Sequence, residues 1–366
     1  MSKIVRASWV VGDQTIFNQF DANRLAFRSG APAYRFSFLE DFYKDLDWTE
    51  EPQQSWDELC VQRALEIRQR YKKIKLMFSA GRDSGHVFRV FEDAGIHIDE
   101  LVLPYSPYHP HRNWEHHNVV KPIAEELCRR NPGMIMREIC QDKSWYEKIW
   151  KQDQWLTERS HQRCMMFTSY EWNDLIEQDP DFQSGTCGYI NGLEKPRIKI
   201  IDGNYVCQFI DTTIQFSPIG VPNVEYFYWA PEMPTLFLKQ AWMLVNHLES
   251  KYPGCTAEFV DTFQNTSSDY YDELCLALGR GPAMAWEVGN GKNKISTNYA
   301  WAIQQVIKVA KEENWQCWKE YSLIIDDLQR NHAHHFNNND PQSGSIGIIG
   351  KPYFMKKQEN NHVTIC

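Results

Sequence analysis

Apolar and polar positions along the middle of the chain fall into blocks whose periods separate helices from strands. In "SWDELCVQRALEIRQRYKK", Leu59, Val61, Ala64, Leu65, Ile67 and Tyr71 recur near helical spacing, and Ser55 is placed to cap the start. The apolar run Ile74–Phe78 follows at once and reads as a buried strand. "SGHVFRVFEDAG" returns to helical spacing, and Gly95 suits a left-handed C-terminal cap. A second strand is expected around Leu101–Tyr105. A long helix follows over "NWEHHNVVKPIAEELCRRN", with Pro122 marking a boundary or kink. "MIMREI" predicts a third strand, residues 144–178 a helical stretch rich in Trp and charge, "TCGYING" a fourth strand and "YVCQFID" another.

Alternation of strand and helix from about residue 55 to 210 predicts a doubly wound α/β fold, a mostly parallel sheet with helices on both faces. Beyond it, "TLFLKQAWMLVNHLESKY" and "NYAWAIQQVIKVAKEENWQCWKEYSLIIDDLQRN" read as helices, and the polar "HAHHFNNNDPQSGSIG" as a loop placed to act as a lid. The expected organisation is a mixed segment over 1–54 that packs on the main domain, an α/β domain over 55–215, and a mainly helical region over 216–366 with a polar loop near 331–345. No internal repeat is visible.

The 366 residues are 42% hydrophobic and 24% charged, a globular composition. A net charge of -9 argues against a general electrostatic grip on nucleic acid. The ten cysteines contain no C-x-x-C pair, which removes zinc ribbons and thioredoxin-type motifs. No charged segment followed by a long apolar run opens the chain, and no apolar span is long enough to cross a membrane. The expectation is a cytoplasmic protein with reduced thiols and no membrane partner; a homo-oligomer is compatible with the sequence. Aromatics make up 14%, with 14 Trp, and serve either core packing or stacking on a flat ligand.

The chemistry concentrates after the first strand, where Ser79-Ala80-Gly81-Arg82-Asp83-Ser84 leads into a helix. Small residues let backbone N–H groups approach an anion, the hydroxyls of Ser79 and Ser84 add donors, and the helix N-terminus adds positive partial charge. In an open parallel sheet ligands bind at the carboxyl ends of strands, where this loop lies. Asp83 inside an anion site makes sense if Mg²⁺ bridges it to phosphates, or if Asp83 and Ser84 are simply helix caps. Both readings stand at this point.

Ser-x-Gly-x-Asp-Ser after an apolar strand resembles the Ser-Gly-Gly-x-Asp-Ser motif of the PP-loop ATP pyrophosphatases, which cleave ATP between the α and β phosphates; Ala80 stands at the first motif glycine. Neither a Walker A loop nor G-x-G-x-x-G follows this strand. The order of "WDELCVQRALEIRQRYKKIKLMFSAGRDS", "GTCGYINGLEKPRI" and "EYFYWAPEMPTLFLKQAW" is similar to the synthetase domain of asparagine synthetase over roughly 55–245. The resemblance implies a Rossmann-like PP-loop fold that binds ATP and Mg²⁺. It implies phosphate contacts at Ser79, Ala80, Gly81, Arg82, Asp83, Ser84 and Gly192, metal contacts at Asp83 and Glu194, and catalytic roles for Asp83, Lys195 and Arg197. Lys195 and Arg197 would supply charge to a leaving pyrophosphate. Position 2 is Ser2, not the catalytic cysteine of the family's glutaminase domain, so nitrogen is expected from free ammonia, an amine or another protein.

Three functions are open. The first is ATP-dependent adenylation of an acceptor followed by nucleophilic substitution, an amidation or ligation releasing AMP and PPi. The second is modification of a nucleic-acid base by the same chemistry, including thiolation, for which Cys164 and Cys187 are the candidates by position. The third is a non-catalytic nucleotide-binding protein with a degenerate PP-loop. "HPHRNWEHH" and "NHAHHF" read as solvated loop histidines or as a metal site.

Overall fold

The computed structural model describes residues 8–16, 25, 34–37, 39–108, 110–145, 179–192, 195–209, 223–264, 269–284, 308–316 and 352–358. The expected helical stretch beyond 145, most of the last expected helix and the polar loop near 331–345 lie outside these residues.

Helix α1, Trp56–Arg70, starts at a capping box: Ser55 Oγ accepts from the Glu58 N–H, and the Glu58 carboxylate accepts from the Ser55 N–H at 2.8 Å. It delivers the chain to β4, Lys73–Met77. Helix α2, Arg82–Asp93, and strand β5, Glu100–Tyr105, follow, with Gly95 at φ 66° reversing the chain between them. The next helical stretch is not uniform. It runs as α3, Pro110–Glu115, a π-helical turn, His116–Val120, and α4, Lys121–Arg130, with Pro122 in the first turn of α4. Pro122 lacks an N–H to donate, so it opens a helix segment more readily than it continues one. Strand β6, Ile135–Cys140, the short helix α5, Pro180–Gln183, and strand β7, Cys187–Asn191, complete the run.

Together with β10, Val224–Tyr226, these strands form a five-stranded, all-parallel sheet in the order β10-β7-β4-β5-β6. The chain starts at the central β4, moves outward through β5 and β6, then returns to the other side of β4 with β7. This is the arrangement of a doubly wound α/β sheet, and the order reverses between β4 and β7. Side chains alternate between faces. Ile74, Leu76, Phe78, Leu101, Leu103 and Ile190 share a core with α1, α2 and α4. Met77, Val102, Ile139 and Tyr189 pack with Phe182 of α5 on the opposite face. Lys75 also lies on that face, 3% exposed. It is tolerated there because Asp179 (2.5 Å), Glu100 (3.0 Å) and Asp181 (3.0 Å) surround it.

A second core lies outside the parallel sheet. Strands β8, Arg197–Ile201, and β9, Asn204–Gln208, form an antiparallel hairpin through Asp202 and Gly203, both at positive φ, and β11, Tyr353–Lys357, pairs with the far edge of β9. The expected strand in "YVCQFID" thus exists, but in this antiparallel sheet. Helix α6, Pro234–Lys251, contributes Leu236 to the first core and Phe237, Ala241 and Leu244 to the second. Helix α7, Ala257–Phe263, and helix α8, Tyr271–Ala277, cover the second core with Val260, Phe263 and Leu274. From the N-terminal segment, Val11, Leu39, Tyr43 and Trp48 pack into this same core. Strands β1, Ser8–Val11, β2, Gln14–Ile16, and β3, Tyr34–Ser37, form their own small antiparallel sheet.

Candidate functional site

The crevice at the carboxyl ends of β4 and β7 is built from two loops. Phe78 still donates its N–H to Val102 of β5 at 2.9 Å, so the strand geometry carries to the edge of the first loop. Ala80 then turns the chain at φ 53° with its methyl wholly buried in the main core. A non-glycine residue held in this left-handed region costs roughly 1–2 kcal/mol. The loop therefore takes a course that glycine would adopt more easily, and alanine is accommodated in it.

Helix α2 begins at Arg82 with Gly81 as its N-cap, and no side chain accepts from its first turn at the cap. Asp83 and Ser84 lie inside that turn and are not the caps that the sequence left open. Ser84 Oγ instead accepts from the Ser79 N–H at 3.2 Å and lies 3.2 Å from Ser79 Oγ, which closes the loop on itself. First-turn amides without side-chain caps and the positive end of a 12-residue helix are the donor set that an anion needs.

Gly192 leaves the end of β7 and lies directly against this turn. A Cβ built on it would stand 3.1 Å from the Asp83 carbonyl carbon and oxygen and 3.2 Å from the Ser84 nitrogen. The two loops touch through backbone, at a spacing that leaves a side chain at Gly192 little room. Gly192→Ala is expected to push the turn outward by a few tenths of an ångström and to cost about 1–3 kcal/mol, as overpacking does. Thermal melting of the variant against the parent chain checks this.

Three residues beyond Gly192, Lys195 places its Nζ 2.7 Å from Asp83 Oδ2. The other carboxylate oxygen, Oδ1, accepts from Arg280 Nε at 3.0 Å. Burial pushes the Asp83 carboxyl upward, but the charges of Lys195 and Arg280 outweigh it and hold the group below the ordinary carboxylate range. Burial likewise pushes the Lys195 ammonium down, and Asp83 more than restores it.

Arg280 has no sequence expectation attached to it. It follows α8 in "GRGP", between Gly279 and Gly281, both at positive φ. Its side chain is fully buried, stacks over the Tyr228 ring with its guanidinium carbon 3.2 Å from the centroid, and donates to Gln240 Oε1 at 2.5 Å. Arg82 and Arg89 bind the same turn by donating to the carbonyls of Gly281 (2.7 Å) and Arg280 (3.0 Å). Behind them, the Tyr228 hydroxyl donates to the Asp83 carbonyl at 3.2 Å and lies 2.8 Å from His86 Nδ1. Burial first, then Arg280 and Arg89, push the His86 imidazole down to about 3, so it is neutral. The two glycines around Arg280 were the available signal: they mark a tight turn that presents a single cation.

The other expected site residues divide. Ser79, Ala80, Gly81, Arg82, Asp83, Ser84, Gly192 and Lys195 come together. Arg197 starts β8, and its recorded hydrogen bonds go to Asp261 of α7, at 3.1 Å and 3.4 Å, not to the loop. Glu194 and Cys164 lie outside the described residues. Cys187 is fully buried at the opposite, amino end of β7, about 16 Å of strand from Gly192. Burial pushes its thiol up to about 12, away from the reactive thiolate. His109 lies outside the described residues, and His116 is no solvated loop residue: it is buried, 2.7 Å from Glu138 and stacked on Tyr105. Among the described residues no group of three or more His, Cys, Asp or Glu is placed to hold a metal.

A divalent cation held by one carboxylate and by phosphate oxygens needs no such group, and that is the usual manner of Mg²⁺. Asp83, at 20% side-chain exposure and in the first turn of α2, fits that role. No helix among the described residues is long and apolar enough to cross a membrane. No protein-family model matches the chain, and no curated protein matches it.

Proposed function

We propose that this chain is a PP-loop ATP pyrophosphatase that binds ATP with its phosphates on the Ser79–Ser84 turn, releases PPi and transfers the adenylyl group to an acceptor oxygen, from which a nucleophile then displaces AMP. The observation that carries the reading is the contact of Gly192 with the Asp83–Ser84 peptide at the point where strand order reverses. It gives a helix N-terminus, a small-residue turn and a second loop bearing a lysine in one crevice.

The residues act mainly by position and charge. The first-turn amides of α2 and the Ser79 and Ser84 hydroxyls orient the phosphates in line for displacement. Bound Mg²⁺ would neutralise charge on the phosphate oxygens, with Asp83 as its protein ligand. Lys195 supplies the positive charge that stabilises PPi as it leaves. Removing one such preorganised group slows chemistry by roughly a hundredfold or more. Lys195→Ala is therefore expected to lower the rate of PPi release on that scale and to weaken ATP affinity less. Arg197→Ala should act mainly on stability, through its lost bonds to Asp261. Rapid-quench PPi release and equilibrium ATP binding on both variants separate the two roles.

The net charge of -9 favours a small-molecule or protein acceptor over a long nucleic acid. ATP labelled on the α and on the γ phosphate, incubated with the chain, Mg²⁺ and a panel of carboxylates with ammonia, tests the function. Label appearing in AMP and PPi supports it; ADP and inorganic phosphate contradict it. One observation favours a second reading, a nucleotide-binding protein without turnover: both Asp83 oxygens are already engaged by cations. Tight ATP binding with no labelled product from any acceptor would select that reading.

A further inference from the structure

Asp83 is held between two cations of unlike freedom. Arg280 is fully buried, stacked on Tyr228, and bonded to Gln240 and to the Leu278 carbonyl. It has no room to leave. Lys195 is 23% exposed, Asp83 is 20% exposed on the same side, and Lys195 stands on the loop anchored by Gly192. Its flexible four-carbon stem lets the ammonium change partners by side-chain rotation.

The charges make the two positions exclusive. Without ligand, one carboxylate faces two cations, a net positive site that attracts phosphate. Adding a divalent cation at Asp83 while Lys195 remains 2.7 Å from the same oxygen would set three positive charges against Arg280 around a single carboxylate. One cation must go, and Lys195 is the one with access to water.

Resting on the ATP-binding reading above, we infer that Lys195 is a displaceable counter-ion: it occupies the metal's place on Asp83 until a divalent cation takes that oxygen, and the freed ammonium then moves onto the phosphates. Metal and Lys195 compete for one carboxylate, so that phosphate binding and metal binding are coupled through a single side chain. The resting Asp83–Lys195 pair keeps the metal site closed until an anion is present to receive the lysine.

The test uses Mn²⁺ alone, followed by electron paramagnetic resonance of the free ion, on the full chain. Lys195→Met, and Lys195→Gln as a second variant, are expected to bind Mn²⁺ about tenfold more tightly than the parent chain. Asp83→Asn combined with Lys195→Met should lose that gain. Inorganic pyrophosphate, titrated in a second arm with Mn²⁺ saturating, should bind about tenfold more weakly to the lysine variants. Circular dichroism confirms that each variant is folded. Equal Mn²⁺ affinity in the parent chain and both lysine variants overturns the inference, as does pyrophosphate affinity that ignores the lysine. Failure of the ATP reading is scored separately, by absence of ATP binding to the parent chain, and the Mn²⁺ arm still decides whether Lys195 guards Asp83.

Discussion

Asp83→Ala is expected to abolish Mg²⁺-dependent PPi release and also to destabilise the protein by about 3 kcal/mol, the scale of breaking a buried ion pair. The first effect follows from losing the proposed metal ligand beside the proposed phosphate site. The second follows from Arg280: its guanidinium is sealed from water and loses its bond to the Asp83 carboxylate, while its bonds to Gln240 and the Leu278 carbonyl are to neutral groups. The two effects can be pulled apart. Asp83→Ala with Arg280→Met removes both buried charges and should recover more than half of the lost stability, because an apolar replacement for a buried pair is often close to neutral. Turnover should stay absent in the double variant. Urea unfolding and PPi release on the two single variants and the double variant complete the cycle. Full turnover in Asp83→Ala would remove the loop from the ATP site. Unchanged stability would mean that Arg280 is satisfied without Asp83.

The second large effect is pH-dependent and belongs to His86. Its imidazole is 8% exposed, bonded to Tyr228 and pushed down to about 3 in the folded chain, against an ordinary value of 6.5. As pH falls below 6.5 the unfolded chain takes up a proton at this position and the folded chain does not, until pH nears 3. Stability linked to His86 is therefore complete above pH 6.5 and declines between 6.5 and 3, by up to about 1.4 kcal/mol per pH unit. His86→Gln keeps a hydrogen-bonding partner for Tyr228 but does not titrate, and should lose that slope. Urea unfolding of both proteins at pH 7, 6 and 5 measures it. Parallel declines in the two proteins would assign the acid sensitivity to other groups, with the carboxylates around Lys75 the next to examine.

The parts of this fold that local chemistry dictates were readable from residues. The helix cap at Ser55, the turn at Gly95, the boundary at Pro122 and the strand before Ser79 each have a short-range cause, and each is where the pattern put it. Helix α6 starts at Pro234, in the aromatic-Pro segment that the resemblance pointed to. What failed was long-range. Counting "YVCQFID" with the parallel strands missed the Asp202-Gly203 turn, a two-residue hairpin signal that ties β8 to β9 and removes both from the main sheet. The burial of Lys75 inside the apolar run Ile74–Phe78 has no local cause either, because its three carboxylate partners come from β5 and from around α5, far along the chain.

The site shows the same division. Ser79–Ser84 was visible because the turn is contiguous, and Gly192 and Lys195 because the resemblance carried them. Arg280, Tyr228 and His86 were not: the glycines around Arg280 mark a tight turn, but the convergence of the three behind Asp83 is long-range. Arg197 shows the converse: two residues from Lys195 in sequence, it begins a strand whose side chain is taken by Asp261. The change from loop to strand between residues 195 and 197 sends the two cations to different neighbours.

The central claim is that ATP places its phosphates on the turn between β4 and α2. A crystal structure of the chain with a non-hydrolysable ATP analogue and Mg²⁺ tests it most directly. The account predicts phosphate oxygens within hydrogen-bonding distance of the N–H groups of residues 81–84, the metal on Asp83, and Lys195 Nζ moved from Asp83 to the phosphates. An analogue bound elsewhere, with Lys195 still 2.7 Å from Asp83 and the turn empty, would contradict it.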